Sequence, residues 1–193
     1  ACQMRVETYS EPLVKKMVDA GCINACFGLE NLSQSILDDM NKKATSEQMK
    51  NALEISYQTH VGGAMGNILF GARTETAETI RESMTWVHEN QKFMINDFII
   101  IGLYPGSAYY EYAVQKGLIK DKKKFIEKGC PLVNITTLSE SIFRALAMYC
   151  SLKRHEIQSR GEILQIQKHS DGFDAILKCS HCGHEDRKST RLN

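Results

Sequence analysis

Two thiol pairs and a row of carboxylates at segment ends are the side chains of this sequence with the most chemistry in them. Near the C-terminus, Cys179-Ser180-His181-Cys182-Gly183-His184 has the Cys-x-x-Cys-Gly spacing of a tight knuckle that points two thiolates at one ion. Zinc completes a tetrahedron with four such ligands, so the stretch reads as the first half of a zinc ribbon. The second Cys-x-x-Cys that would close it does not follow. Cys179, Cys182 and His184 are therefore the candidate ligands, with His181, another chain or downstream sequence as further donors. Cys22 and Cys26, in GCINACFGLE, are a different case. On an extended strand they lie ~13 Å apart at ~3.3 Å per residue, too far to share one ion. Alternation instead turns Ile23, Ala25, Phe27 and Leu29 toward covering helices, and Cys26, Gly28 and Glu30 the other way.

The carboxylates and turn residues that could meet a ligand are Glu7, Gly28-Leu29-Glu30, Gly71 with Glu75-Thr76, and Tyr104-Pro105-Gly106-Ser107. Each follows a strand-like segment. CQMRVE, GCINACFGLE, GAMGNILFG and INDFIIIGLY read as strands, apolar on both parities where strongest, as in a parallel strand covered on both sides. Helices alternate with them. SEPLVKKMVDAG has Ser10 as N-cap, Pro12 in its first turn, Leu13, Val14, Met17 and Val18 on one face, and Gly21 as its stop. LSQSILDDMNKK and TSEQMKNALEISYQTH are amphipathic. The second opens with a Thr45 to Gln48 capping box and is broken by Gly62-Gly63. TETAETIRESMTWVHEN presents Ile80, Met84 and Val87, and SAYYEYAVQKG follows the last strand. Alternating βα units imply a parallel sheet with right-handed crossovers, and half of a (β/α)₈ barrel and a short doubly wound sheet both fit. In either, a ligand sits at the C-terminal ends of the strands, where these residues recur.

After Gly117 the character changes. KDKKKF reads as a solvated loop or helix edge, and residues 139 to 158 as an amphipathic helix with Ile142, Leu146 and Tyr149 on its face. A hairpin is expected around Ser170 to Gly172, ahead of the knuckle. The closing STRLN follows no periodic pattern and is expected not to be native sequence. His60 and His88 near helix ends, Trp86, and Tyr109, Tyr110 and Tyr112 read as dipole partners and packing residues. Cys130 and Cys150 have no partner at metal-ligand spacing.

The chain has 193 residues, 42% of them apolar, and a formal net charge of +1, the composition of a globular protein. No apolar run approaches the roughly 18 to 20 residues of a membrane helix, so no membrane partner is expected. The near-neutral charge offers no concentrated basic face, so nucleic acid is not expected either. Seven cysteines without a signal-peptide pattern favour a reducing compartment, the cytoplasm. The chain opens on a strand without an initiator methionine, which suggests that the true N-terminus lies upstream.

Five pieces in order, R-V-E, A-G-C-I-N-A-C-F-G-L-E-N, L-D-D-M-N-K-K-A-T, G-N-I-L-F-G-A-R-T-E-T and G-L-Y-P-G-S-A-Y-Y, resemble the second half of a radical S-adenosylmethionine (SAM) enzyme core. The resemblance spans roughly residues 1 to 120 and is similar in particular to members with an upstream cobalamin-binding domain. It implies a partial (β/α) barrel, an incomplete TIM-like barrel of which this chain holds the C-terminal four βα units, with a helical extension at 121–160 and a zinc-ribbon-like tail at 161–193. In the family a three-cysteine loop holds a [4Fe-4S] cluster that binds SAM, and reductive cleavage gives a 5′-deoxyadenosyl radical. Carried over to this sequence, Glu30 matches the position near the SAM ribose or amino acid. Arg5 would meet its carboxylate or the substrate, Gly66, Asn67 and Ile68 would pass the adenine, and Leu103 and Tyr104 would meet its edge.

Two departures stand out. Gly71-Ala72-Arg73-Thr74-Glu75-Thr76 replaces the Pro and Gly of the family's Gly-x-Pro-Gly-Glu-Thr turn by Arg73 and Thr74. The motif Cys-x-x-x-Cys-x-x-Cys is absent, since Leu29 stands three after Cys26. The missing strands and cluster loop are expected before Ala1, and this chain alone is not expected to make the radical or to modify the unidentified substrate. Cobalamin-dependent methyl transfer and sulfur insertion into transfer RNA both remain open within the family. Outside it stand a non-catalytic βα ligand-binding module with a zinc knuckle, and an aldolase-type barrel enzyme using Glu30 as acid or base.

Overall fold

Strand β1 (Cys2–Met4) pairs in parallel with β2 (Ala25–Phe27), Cys2 opposite Ala25 and Met4 opposite Phe27. This register, in the computed structural model of the chain, places the first two strand-like segments side by side. The structure describes residues 1–61, 66–93, 95–159, 161–179 and 182–191. It divides into two units: Ala1–Phe70 with Thr74–Asp97, and Gly71–Arg73 with Phe98–Asn193.

In the first unit, the opening strand is shorter than CQMRVE suggests. A 3-10 turn at Val6–Thr8 ends it, because the Thr8 hydroxyl and backbone N–H both bond to the Arg5 carbonyl, at 2.9 and 3.1 Å. Helix α1 (Glu11–Asp19) starts after Ser10 and stops at Gly21, whose φ of +88° suits a residue without Cβ. Of its predicted apolar face only Val14 is buried, while Leu13 and Val18 are exposed. Strand β2 is likewise shorter than GCINACFGLE. Ala25, Phe27 and Leu29 are buried as alternation requires, but Ile23 precedes the strand and is 77% exposed.

Helix α2 (Gln34–Asp39) and α3 (Ser46–Thr59) follow, and the Thr45–Gln48 capping box forms with both of its bonds. The stop of α3 is His60 in the left-handed region, φ +53°; the Gly62-Gly63 pair lies outside the described residues. Strand β3 (Gly66–Phe70) meets the end of the second segment through a parallel bridge between Glu30 and Ile68. Helix α4 (Ala77–Glu89) carries a second capping box, Thr76 with Thr79. Its most buried positions are polar, Thr79 and Ser83, and the expected apolar face of Ile80, Met84 and Val87 is only half-buried. Strand β4 (Ile95–Ile100) pairs with β3.

In the second unit, α5 (Ala108–Gln115) is capped by Ser107, and of the two readings of the lysine run, loop or solvated helix edge, the second holds: its exposed lysines lie on a short helix, α6 (Lys122–Glu127). The Asp121 carboxylate caps it, accepting from Lys124 N–H at 2.9 Å, and buried Phe125 anchors it. Leu103, Tyr110, Ala113, Ile119, Phe125 and Ile135 form one core cluster. The long helix α7 (Glu140–Ser159) buries Phe143, Leu146, Ala147 and Cys150; Ile142, expected on that face, is 50% exposed because the inward stripe runs one position on.

Three antiparallel strands close the chain, β5 (Gly161–His169), β6 (Gly172–Cys179) and β7 (Glu185–Arg191), in the order β5-β6-β7. The hairpin turn at Ser170 and Asp171 falls where expected. Phe173, Ala175 and Leu177 face Met148 and Leu152 of α7. Ser189, Thr190 and Arg191 of the closing segment belong to β7: Ser189 bonds to Asp174, and Thr190 accepts from Ser151 at 3.2 Å. Among the described residues no helix is long and apolar enough to cross a membrane.

Candidate functional site

Glu30 stands where β2 gives out, in a conformation few side chains adopt. Its φ is +60°, and Asn31 N–H bonds back to the Leu29 carbonyl at 2.8 Å, a tight three-residue turn about Glu30. The turn turns the Glu30 carbonyl toward β3, where it accepts from Leu69 N–H at 2.6 Å. A left-handed glutamate costs of order 1 kcal/mol that glycine would not. Asn31, fully buried, holds the turn from behind. Its Nδ2 donates to the Leu69 carbonyl at 2.9 Å, and its Oδ1 accepts from Ser33 N–H at 2.9 Å and the Ser83 hydroxyl at 3.0 Å. The buried polar positions of α4 thus have their reason: Ser83 completes the Asn31 network, and Thr79 donates to fully buried Glu75 at 2.6 Å.

The Glu30 carboxylate is half-buried and takes Lys42 Nζ on Oε1 at 3.1 Å. Lys42 is aimed by the end of α2. Asn41, left-handed at φ +55°, donates to the Asp38 carbonyl at 3.0 Å, and Lys42 N–H to the Leu37 carbonyl at 2.8 Å, the paired bonds of a Schellman stop. Gly28 keeps the space open: a Cβ there would stand 2.3 Å from Glu30 Oε1 and 3.0 Å from Lys42 Nζ. At the end of β1, exposed Arg5 donates to Glu7 at 2.5 Å and holds its carboxyl below the usual range, with Lys42 adding to the effect. The structure therefore brings together Arg5, Glu7, Glu30 and Lys42 with the backbone of Ile68, which is itself fully buried, while Asn67 is exposed and Gly66 opens β3.

Leu103 and Tyr104 belong to the second unit. Leu103 is a core residue of its own cluster, and Tyr104 is 66% exposed, its ring lying where a Cβ on Gly102 would meet it at 2.7 Å. In the same unit, Arg73 of the altered turn lies 5.6 Å from the Tyr112 ring and 6.0 Å from that of Tyr109, so a cation–π clamp stands where the family pattern has Pro-Gly.

The C-terminal thiols sit on the β6–β7 connection. Cys179 N–H donates to the His184 carbonyl at 2.8 Å and Gly183 N–H to the Cys179 carbonyl at 2.9 Å, with Gly183 at φ +71°. Cys182 and His184 are exposed and Cys179 half-buried, and Ser180 and His181 lie outside the described residues. No three His, Cys, Asp or Glu side chains converge on one point among the described residues. A surface cleft of about 460 Å³ over Trp86, Arg81 and Lys50 is walled by acids of α4 and lacks the Glu30 constellation.

No family model matches the chain. It is 38% identical over 107 residues to bacteriochlorophyllide d C-8(2)-methyltransferase of Chlorobaculum tepidum, covering 55% of this chain and 24% of that protein. It is 30% identical over 117 residues to an uncharacterized methyltransferase of Pyrococcus horikoshii, covering 60% of this chain and 25% of that one. The chain thus spans about a quarter of the length of the curated relatives it matches. Among solved structures, Escherichia coli coproporphyrinogen III oxidase, a radical SAM enzyme, aligns with 99% of this chain and 46% of its own at 9% identity, with a TM-score of 0.46. The two sequence relatives are both methyltransferases, and the second is uncharacterized.

Proposed function

We propose that this chain is the C-terminal part of a radical SAM enzyme core, a partial (β/α) barrel over residues 1–120, and that the whole enzyme transfers a methyl group to a substrate of unidentified structure. The observation that carries the reading is the pair of ion pairs at the ends of β1 and β2, Arg5–Glu7 and Lys42–Glu30, on a backbone turn held by Asn31. SAM presents a carboxylate, an ammonium and two ribose hydroxyls. Charges of both signs at neighbouring strand ends suit that set: Arg5 and Lys42 toward the carboxylate, Glu30 and Glu7 toward the ammonium and hydroxyls. The sequential neighbourhood β1-β2, the Glu30–Ile68 bridge and β3-β4 supports a barrel wall over a doubly wound sheet, in which strand order reverses.

The residues of this chain fit SAM but not the cluster. Cys22 and Cys26 lack the third cysteine, and no convergent ligand set exists among the described residues, so the cluster ligands belong to sequence outside this chain. When bound together, SAM and cluster supply a radical that takes hydrogen from substrate. The chain's own part is to hold the cofactor's polar end and keep it oriented. Methyl transfer is favoured over sulfur insertion by the names of the two sequence relatives, and cobalamin would belong to an upstream domain. In this reading 121–160 is a helical extension and 161–193 a small β tail. Cys179, Cys182 and His184 stay candidate zinc ligands; unchanged zinc content in Cys179→Ser, Cys182→Ser would overturn that.

The test is the intact polypeptide that carries this segment, reconstituted anaerobically with iron and sulfide. SAM-dependent release of 5′-deoxyadenosine is expected, and a preparation with its cluster in place that releases none contradicts the reading.

A further inference from the structure

Cys22 is not free to wander. It is the second residue past Ala20, the C-cap of α1, in a Schellman stop in which Gly21 N–H donates to the Val18 carbonyl and Cys22 N–H to the Met17 carbonyl, both at 2.8 Å. Its thiol then donates to the Asn24 carbonyl at 3.4 Å. The same carbonyl oxygen accepts Cys2 N–H at 2.9 Å, so the backbone of Cys2 and the thiol of Cys22 converge on one atom. Cys26, four residues on, is drawn elsewhere: it pairs in register with Gln3, its thiol donates to Asn24 Oδ1 at 3.0 Å, and alternation puts it on the face opposite Ala25, the register partner of Cys2.

We infer that Cys2 and Cys22 are an oxidation site, a thiol pair that closes to a disulfide tying β1 to the turn before β2 when the protein meets a peroxide. Each thiol gives up one proton and one electron; the sulfurs bond to each other, and hydrogen peroxide takes both electrons and both protons to leave two waters. The chemistry starts from the thiolate of one partner. Burial first, and then the neighbouring Cys22 thiol, push the Cys2 thiol up. Both cysteines are half-buried, open enough for a small peroxide. The pair shares no residue with the candidate SAM set and does not depend on that assignment.

The test treats the folded chain with hydrogen peroxide, alkylates remaining thiols, digests with trypsin without reduction and reads the peptides by mass spectrometry. The expected product joins residues 1–5 to residues 17–42, carries one alkyl group on Cys26, and is otherwise lighter than the two thiol peptides by two hydrogens. It is lost in Cys22→Ser and in Cys2→Ser and kept in Cys26→Ser, with circular dichroism of the untreated variants confirming that they fold. Full alkylation of Cys2 and Cys22 after peroxide would overturn the inference. So would a Cys22–Cys26 link, or sulfinic acid at either position in place of the disulfide.

Discussion

Each unit of this molecule holds a buried polar side chain that ties three groups together, and these two hubs are built differently. In the first, the neutral amide of Asn31 joins the turn at Glu30 to β3 and α4 through three bonds to neutral groups. In the second, the carboxylate of Asp174, on β6, accepts from His169 Nε2 at 3.0 Å, Arg187 at 2.6 Å and the Ser189 hydroxyl at 2.6 Å, and these bonds hold it far below the usual carboxylate range. A neutral hub fixes geometry at any pH, whereas a charged hub stabilises its sheet only while it is ionised. The candidate ligand site rests on the first kind. The tail sheet rests on the second.

The largest effect should follow removal of the neutral hub. Asn31→Ala leaves the Leu69 carbonyl, Ser33 N–H and Ser83 hydroxyl without a buried partner and is expected to cost about 3 kcal/mol in urea unfolding, equally at pH 5 and pH 8. A loss below about 1 kcal/mol, the net value of one ordinary hydrogen bond, would break the contrast from that side. Asp174→Asn should cost less at neutral pH, since its partner Arg187 is largely solvated. Its signature is the pH dependence. Because the folded-state pKa is depressed, the stabilisation is full above about pH 4, the unfolded carboxyl value, and is lost as pH falls toward the folded one. The gap between native protein and Asp174→Asn therefore narrows below that pH, and a constant gap would contradict the charged-hub account.

Smaller effects sharpen the picture at Glu30. Glu30→Gly should be more stable than Glu30→Ala by about 1 kcal/mol, because only glycine is at ease at that φ; equal stabilities would remove the strain. Gly28→Ala should change stability by less than about 0.5 kcal/mol. Its methyl group meets only the flexible ends of Glu30 and Lys42, so its effect should appear in ligand affinity, measured by calorimetry.

The alternation of strands and helices was legible because each element begins with its own chemistry: the Thr45–Gln48 box, Ser107 before α5, Gly21 after α1. Faces were harder to read. Ile23 and Ile142 have the right type and spacing but lie one step outside the strand or the inward stripe, which sequence spacing alone cannot place. Glu30 was legible as a strand-end carboxylate. Asn31 was missed, although Asn-x-Ser ahead of a helix signals the side-chain turn it forms with Ser33. Lys42 was missed because its role needs a left-handed Asn41, and nothing in N-K-K announces which lysine turns back.

Glu30 is proposed to hold SAM at the end of β2. Calorimetric titration of SAM into the reconstituted intact polypeptide tests it most directly, native against Glu30→Ala. Loss of one charge-assisted bond predicts binding weakened about tenfold with the fold unchanged, and equal affinity in a folded Glu30→Ala protein would contradict it.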